Sequence, residues 1–289
     1  MRTPARFLRR GSISGRTLLQ GLVLPAALAV WWQVSTAGAG RTGLLPPPGR
    51  VLDILVDPGA DLLATGSLFW NTGVSLARVA LGFGLAVLIG VPVGVLMGYS
   101  GRARSLLNLS MEMARPLSPI ALVPLSLILF RSMTFVELLG LTHLRYQHHL
   151  LHEMQVGMVF ILFWGGFFPI LLGTIQGVRS VRRIHLEAAR LLGGRGLLLF
   201  GRVILPSALP DILTGLRLGI GRCWMVIIAA EMLPGTNAGL GYLIRYSYEV
   251  LRIDVMLSCL VLVALFGALF SRGLAGIGER SLLLRSSER

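Results

Sequence analysis

The sequence contains no lysine, only two cysteines and few charged residues of either sign. Charged residues make up 14% of the 289 residues, hydrophobic residues make up 54%, and the mean hydropathy is +0.74. Cys223 and Cys259 lie in apolar segments, so neither a disulfide framework nor a cysteine-based metal site is indicated. The chain also lacks a GxxxxGK[ST] loop, the motif that cradles a nucleotide phosphate.

Long apolar runs dominate the chain instead. Runs of about 20 residues recur, and this length crosses a hydrocarbon core of roughly 30 Å. They predict an all-α membrane protein with about six transmembrane helices. The predicted spans are residues 17–36, 69–98, 106–130, 155–177, 210–233 and 255–272.

The net charge of +14 arises from 27 basic residues, all arginine, against 13 acidic ones. The arginines are spread between the apolar runs, so they indicate membrane topology rather than nucleic-acid binding. With the N-terminus inside, 17 arginines flank the inner ends of the spans and 6 the outer ends. This bias predicts a membrane protein with both termini cytoplasmic. The predicted parts are a segment at 1–16, a transmembrane domain at 17–272 and a tail at 273–289.

The loop predicted at 178–209 lies on the cytoplasmic side and contains a short amphipathic helix. Its charged face comprises Arg183, Glu187 and Arg190, and its apolar face Ile184, Ala188 and Leu191 or Leu192. Gly193 and Gly194 predict the end of this helix. By periodicity alone, the helix could lie on the lipid surface, or it could be held against the inner membrane face and leave its small residues open to a partner.

The spacing of this loop resembles the EAA loop of permease subunits of ATP-binding cassette importers. The run EAARLLG is followed after nine residues by VILP. The matching positions are Glu187, Ala188, Ala189, Gly193, Val203, Leu205 and Pro206. In that family the loop forms a coupling helix that docks into a groove on the cytoplasmic ATPase subunit. The resemblance therefore implies an ATPase-coupling role for Glu187, Ala188, Ala189, Gly193, Leu205 and Pro206.

Four more segments resemble the nitrate, sulfonate and taurine branch of these permeases. They are residues 44–52, 75–100, 115–125 and 215–244. The resemblance implies a permease of the type I importer fold that forms the translocation path for a small solute and is not an enzyme. It implies no cofactor on this chain, because ATP and Mg are bound by the partner ATPase.

The same resemblance implies a complex in the bacterial inner membrane, with two cytoplasmic ATPase subunits and an extracytoplasmic solute-binding protein. A second permease copy is expected, as a homodimer, because one chain carries one EAA loop and two ATPases need two. No nucleic-acid partner is expected. The expected solute is a small anion such as a sulfonate, taurine, nitrate or bicarbonate, and a vitamin precursor or another organic solute is the alternative.

Arg222 is the charged residue placed deepest in a predicted span. At 1.5 Å per residue it stands roughly 18 Å from residue 210, near the bilayer midplane. The resembled branch usually has an apolar residue at this position. Two interpretations remain open: Arg222 faces the translocation path and attracts an anion, or it forms a buried pair with Glu112 or Glu231.

Other charged residues in the spans are candidates for the path or for structural pairs. Glu112 and Arg115 are spaced i, i+3 and are predicted to pair beside a proline-broken helix that could border the path. Glu231 lies near the outer end of its span, before a glycine-rich loop with a predicted structural or gating role. Arg78 and Arg217 match arginines typical of the resembled branch, and a structural role is predicted for both.

Residues 131–154 are predicted to form an external insertion rich in histidine. His148 and His152 are spaced i, i+4 and, with His149, could hold a zinc-like ion. An exposed amphipathic segment needs no metal, and titration between pH 5 and 8 is a further alternative. The cluster His143–His152 resembles the histidine boxes of membrane di-iron desaturases, so an oxygenase is a remote alternative. A secondary transporter is the other rival, although the spans show no repeated halves.

Overall fold

The structure is a computed structural model of the chain. It describes residues 15–37, 45–61, 63–130, 133–134, 137, 150, 153–194, 196–233 and 235–286. Over these ranges almost all of the chain is helical, and the β-structure amounts to one isolated bridge between Thr134 and Gln155. The predicted all-α fold is therefore confirmed.

Eleven α-helices are assigned within these ranges. They are α1 (Gly15–Ala37), α2 (Pro48–Val56), α3 (Leu68–Tyr99), α4 (Gly101–Ala114), α5 (Val123–Phe130), α6 (Val156–Arg179), α7 (Arg183–Leu191), α8 (Gly196–Leu199), α9 (Leu205–Glu231), α10 (Leu240–Glu249) and α11 (Ile253–Ser286). A π-helical turn, Phe200–Ile204, joins α8 to α9. Because α11 continues to Ser286, the predicted C-terminal tail is helical up to that residue.

Four helical stretches are long and apolar enough to cross a membrane. They are Leu68–Tyr99, Val156–Arg179, Phe200–Glu231 and Ile253–Leu274. They confirm the second, fourth, fifth and sixth predicted spans. The 23 residues of α1 coincide with the first predicted span, and this helix reaches the rest of the chain near α2, where Trp32 Nε1 donates to the Pro46 carbonyl at 3.2 Å.

The third predicted span, 106–130, is broken in the structure, as its prolines predict. The chain leaves the helix after Ala114 and resumes a helix only at Val123. Pro116 and Pro119 lie in the interruption, and proline both lacks a backbone donor and clashes with the preceding helical turn. At 1.5 Å per residue, the 14 residues of α4 extend only about 21 Å, which is too short to span.

Glycine residues bring α6 and α9 into backbone contact. A Cβ atom on Gly173 would lie 2.8 Å from the Cα of Gly215, and one on Gly219 would lie 3.2 Å from the Gly166 carbonyl oxygen. Membrane helices associate through such small residues because lipid supplies no hydrophobic drive between them. We call Gly166, Gly173, Gly215 and Gly219 the glycine seam. On its other side α6 packs against α3, so α6 lies at the centre of the bundle.

Candidate coupling and translocation sites

Helix α7 is fixed to the bundle by one of its faces. Leu186 and Ala189 pack against a buried cluster formed by the end of α6 and the start of α9. Gly193 adopts a φ of +83°, and the Gly194 amide donates to the Ala189 carbonyl at 2.8 Å. This is the left-handed C-terminal cap predicted from the glycine pair, and it ends the helix.

The predicted apolar face of α7 points away from the bundle. Ile184 is 67% exposed and Leu191 is 89% exposed, and Glu187 and Ala188 on the same face are exposed as well. The second expectation, a charged face that pairs along the helix, is not met between Glu187 and Arg190, since no ion pair joins these described side chains. The predicted apolar face points outward because the chain returns into α9, and the opposite face, with Leu186 and Ala189, packs against the bundle instead.

Leu205 and Pro206, the other predicted coupling positions, lie at the start of α9. Both are exposed, and Pro206 is tolerated because it occupies the first turn of that helix. Leu205 lines an apolar groove of about 670 Å³ between the inner half of α3 and the segment around Phe200. Both residues therefore stand at the same end of the bundle as α7.

Glu231 forms a fully buried ion pair with Arg78. The Arg78 Nη1 atom lies 2.8 Å from Glu231 Oε1, and both side chains are 0% exposed. Ser75 Oγ lies 2.8 Å from Glu231 Oε2, to which the Gly241 amide also donates at 3.0 Å. Glu231 thus has the geometry of a structural pair rather than that of a side chain lining a path.

The same arginine holds two backbone segments at the end of the bundle opposite α7. Arg78 donates to the carbonyl oxygens of Glu153 and Ala238 at 2.7 Å each. Arg78 therefore has the geometry of the structural role predicted for it, with partners that the sequence alone did not indicate. Asn71 and Ser75 complete the cluster by accepting from the amides at the start of α10. Their spacing with Arg78, on one face of an apolar span, is the sequence signal that could have revealed them.

Arg222 and Arg115 line one cavity of about 310 Å³ between α6 and α9. Both side chains are exposed, and no carboxylate of the described chain lies within 4.0 Å of either guanidinium. Thr214 and Gln176 add uncharged polar groups to the wall. Asp211 lines the far end, where its carboxylate accepts from Ser180 Oγ at 3.1 Å.

The predicted pairs of Arg222 and Arg115 are not formed. Glu231 is bound to Arg78, and the exposed Glu112 accepts from Asn108 Nδ2 at 2.8 Å on the surface of α4. Among the described side chains no ion pair joins Glu112 to Arg115, and the arginine, at the end of α4, lines the cavity beside α6 instead. Arg217 donates to Ser271 Oγ of α11 at 3.0 Å, outside this cavity.

The histidine-rich segment lies almost wholly outside the described residues. His143, His148, His149 and His152 are all undescribed, so the zinc-like site stays a prediction. Within the ranges that are described, no group of three or more histidine, cysteine or acidic side chains is placed to hold a metal ion.

A comparison with protein families identifies the chain. Residues 90–281 match the family described as the inner membrane component of binding-protein-dependent transport systems. The chain belongs to this family. This permease is 40% identical to a protein of Methanocaldococcus jannaschii named as an ABC transporter permease, over 94% of each chain.

The names of two further relatives include a solute. The permease is 33% identical to the taurine transport system permease protein TauC of Escherichia coli, over 95% of this chain and 92% of that one. It is 32% identical to the bicarbonate transport system permease protein CmpB of Synechococcus elongatus, over 90% and 89% of the two chains. The predicted nitrate, sulfonate and taurine branch is therefore confirmed.

A solved structure has the same fold. It is an inward-facing form of the MetNI methionine ABC transporter, with a TM-score of 0.55 and 17% identity, and the match covers 82% of this chain and 99% of that one. The type I importer fold is confirmed. The protein is a multi-pass membrane permease of an ABC importer, and nothing in this family supports the oxygenase or the secondary transporter.

Proposed function

We propose that this permease couples the import of a small anion to ATP hydrolysis by separate ATPase subunits, which dock on α7. The observation that carries the proposal is the outward face of α7, where Ile184 and Leu191 are exposed although the opposite face is packed. Burial of one such side chain is worth about 1.5–3 kcal/mol, so an uncovered face of this kind favours a partner.

The same face carries a charge, which favours a protein partner over lipid. At 100° per residue, Glu187 lies about 40° from Leu191 and about 60° from Ile184 around the helix, at the edge of this face. A helix that lies on a membrane keeps its apolar face free of carboxylates and presents basic residues beside it. Glu187 is instead suited to pair with a basic group in a groove of the ATPase.

The proposed assembly contains two permeases, two ATPases and an extracytoplasmic solute-binding protein. Each chain offers one α7, so a homodimer supplies the two docking helices that a pair of ATPases needs. Both termini are then cytoplasmic, in agreement with the arginine bias and with the position of α7 at the inner end of α6 and α9. The permease itself holds no nucleotide, and ATP and Mg are bound by the ATPases.

The proposed solute is a small anion such as a sulfonate, taurine, nitrate or bicarbonate. Support comes from Arg222, a cation exposed in the middle of a span, since intramembrane charges mark solute pathways. The names of the taurine and bicarbonate relatives point the same way. Uptake by cells that express the full importer tests this class. Uptake of an uncharged or cationic solute, with no anion as substrate or competitor, would contradict it.

Docking is tested by purifying tagged permease from its own organism and measuring the ATPase activity that accompanies it. We expect Glu187→Arg and Leu191→Asp to lose this activity. The first reverses the charge on the exposed face, and the second replaces an exposed apolar side chain with a carboxylate. Arg190→Gln is the matched control, since Arg190 is exposed but stands about 100° from Leu191 and about 120° from Ile184 around the helix. Retention of the ATPase by both face variants would refute docking through α7.

A further inference from the structure

We propose that Arg115 and Arg222 of two permease copies bind one small oxyanion between them, and that the second copy completes the site. The inference rests on the proposed function for its solute class and for the homodimer. It adds the residues that bind the anion, the place where they meet, and a role for the anion in holding the two copies together.

The exposed face of α9 is unsuited to lipid. Asp211, Thr214, Leu218, Arg222 and Met225 follow one another at intervals of three or four residues and therefore share one face. The last four are exposed, Leu218 to 59% and Met225 to 75%. Polar and apolar side chains thus alternate along a stripe that the described residues leave uncovered.

Helix α3 provides the contrast. Its exposed side chains between residues 80 and 96 are all apolar, which is the pattern of a helix that faces lipid, and they include Leu81, Leu85, Leu88, Ile89 and Leu96. The only charged side chain of that span, Arg78, is fully buried and paired. The stripe on α9 differs in both respects, because its exposed side chains include polar ones and its arginine is not buried in a pair. We infer that protein and solute, rather than acyl chains, cover it.

The depth of Arg222 strengthens this conclusion. It lies nine residues before the end of α9 at Glu231, roughly 13 Å from that end at 1.5 Å per residue. A guanidinium at this depth is costly when only acyl chains surround it. It therefore needs water or an anion beside it.

Arg115 is a second cation that needs water or an anion beside it. It lines the same cavity from the segment after α4, so two cations share about 310 Å³, and no carboxylate of the described residues lies within 4.0 Å of them. Asp211, an acidic residue of the wall, lies eleven residues before Arg222, roughly 16 Å along the helix. Planar guanidinium groups bind the paired oxygens of sulfonate, nitrate or carboxylate with two hydrogen bonds each, which suits a small oxyanion.

A second copy closes the open side of this cavity. In a two-fold contact the same surface of each copy meets its counterpart, so the two α9 stripes face each other. Leu218 and Met225 then become buried, and the arginines of the two copies approach one another. Their mutual repulsion opposes the contact unless an anion lies between them, so the anion should stabilise the pair of copies.

The test uses the purified permease alone in lipid nanodiscs or mild detergent. The fraction of dimer and the midpoint of thermal unfolding are measured against potassium methanesulfonate, with potassium chloride at equal ionic strength as the reference. We expect methanesulfonate to raise both quantities in the wild type. Arg222→Gln and Arg115→Gln should each need at least tenfold more methanesulfonate for the half-maximal effect, because each removes a charge-assisted contact.

Arg217→Gln is the matched control, since it removes an exposed arginine of the same helix that lies outside the cavity. It should respond as the wild type does. Arg222→Lys, which keeps the charge, should show an intermediate response and guards against variants that fold poorly. An unchanged response in Arg222→Gln would overturn the site, and a rise in the unfolding midpoint without any rise in dimer would overturn the shared site.

The outcome is separable from that of the proposed function. No ATPase and no solute-binding protein take part in this measurement, so a failure of docking through α7 leaves it unaffected. If the complete importer carried no anion while purified permease still paired on methanesulfonate, the transport proposal would fall and the shared site would stand.

Discussion

Glu231→Gln removes one charge from the buried pair with Arg78 and leaves the side-chain volume almost unchanged. Both partners are 0% exposed and their atoms are 2.8 Å apart, so the arginine would keep its charge in a site closed to water. Breaking a buried pair by removing one partner costs about 3–5 kcal/mol. The Glu153 carboxylate, 3.5 Å from Arg78, supplies partial compensation, so we expect the lower end, about 3 kcal/mol.

The free energy of unfolding can be measured by titrating a denaturing detergent into permease held in mild detergent micelles, with tryptophan fluorescence as the signal. Glu249→Gln is the control, because Glu249 is 54% exposed and lies 3.6 Å from Arg245 on the surface of α10. An exposed pair of this kind is worth about 0–1 kcal/mol. Equal losses in the two variants would refute the view that burial makes the Arg78 pair costly to break.

A double variant sharpens the measurement. Arg78→Gln with Glu231→Gln leaves neither charge behind, so its loss should be smaller than the sum of the two single losses. The difference is the coupling energy of the pair. Full additivity would mean that the two side chains stabilise the permease through other contacts, such as the carbonyl groups that Arg78 holds.

Three smaller perturbations are read out by the same unfolding measurement. Gly215→Ala should cost about 2 kcal/mol because its Cβ would lie 2.9 Å from the Pro169 carbonyl, whereas Gly221→Ala, with nothing within 4 Å, should change stability by no more than about 0.5 kcal/mol. Trp224→Phe removes a 2.9 Å hydrogen bond to an α11 carbonyl and should cost about 1 kcal/mol. Ser75→Ala removes contacts to both α9 and α10 and should cost about 2 kcal/mol. Gly221→Ala as costly as Gly215→Ala, or no loss in the other two variants, would contradict these assignments.

Hydropathy and arginine placement predicted the membrane fold because both are properties of short stretches of sequence. The spans of α3, α6, α9 and α11 need only enough apolar residues in sequence to be recognised. The break between α4 and α5 was also predictable, since Pro116 and Pro119 interrupt a helix wherever they stand in it. That Arg115, at the end of α4, reaches the cavity beside α6 was not predictable from this local signal.

The candidate sites depended on contacts between distant parts of the chain. The EAA spacing located α7, but its rotation is set by Leu186 and Ala189 meeting helices on either side, which periodicity alone does not reveal. Arg78 and Glu231 lie 153 residues apart, so local spacing offered no partner for either. The exposure of Arg222 likewise follows from how α9 turns against α6, a tertiary property.

The glycine seam has a mechanical consequence for energy transfer through the permease. Because backbone meets backbone at Gly173 and Gly215, there is no layer of flexible side chains that could absorb a displacement between α6 and α9. Along the sequence, α7 lies between the C-terminal end of α6 and the N-terminal end of α9. If an ATPase docks on α7 as proposed, a displacement of α7 would then move both helices together. The part of the cavity wall that α6 and α9 form would move as one unit relative to Arg115, which lines the cavity from the segment after α4.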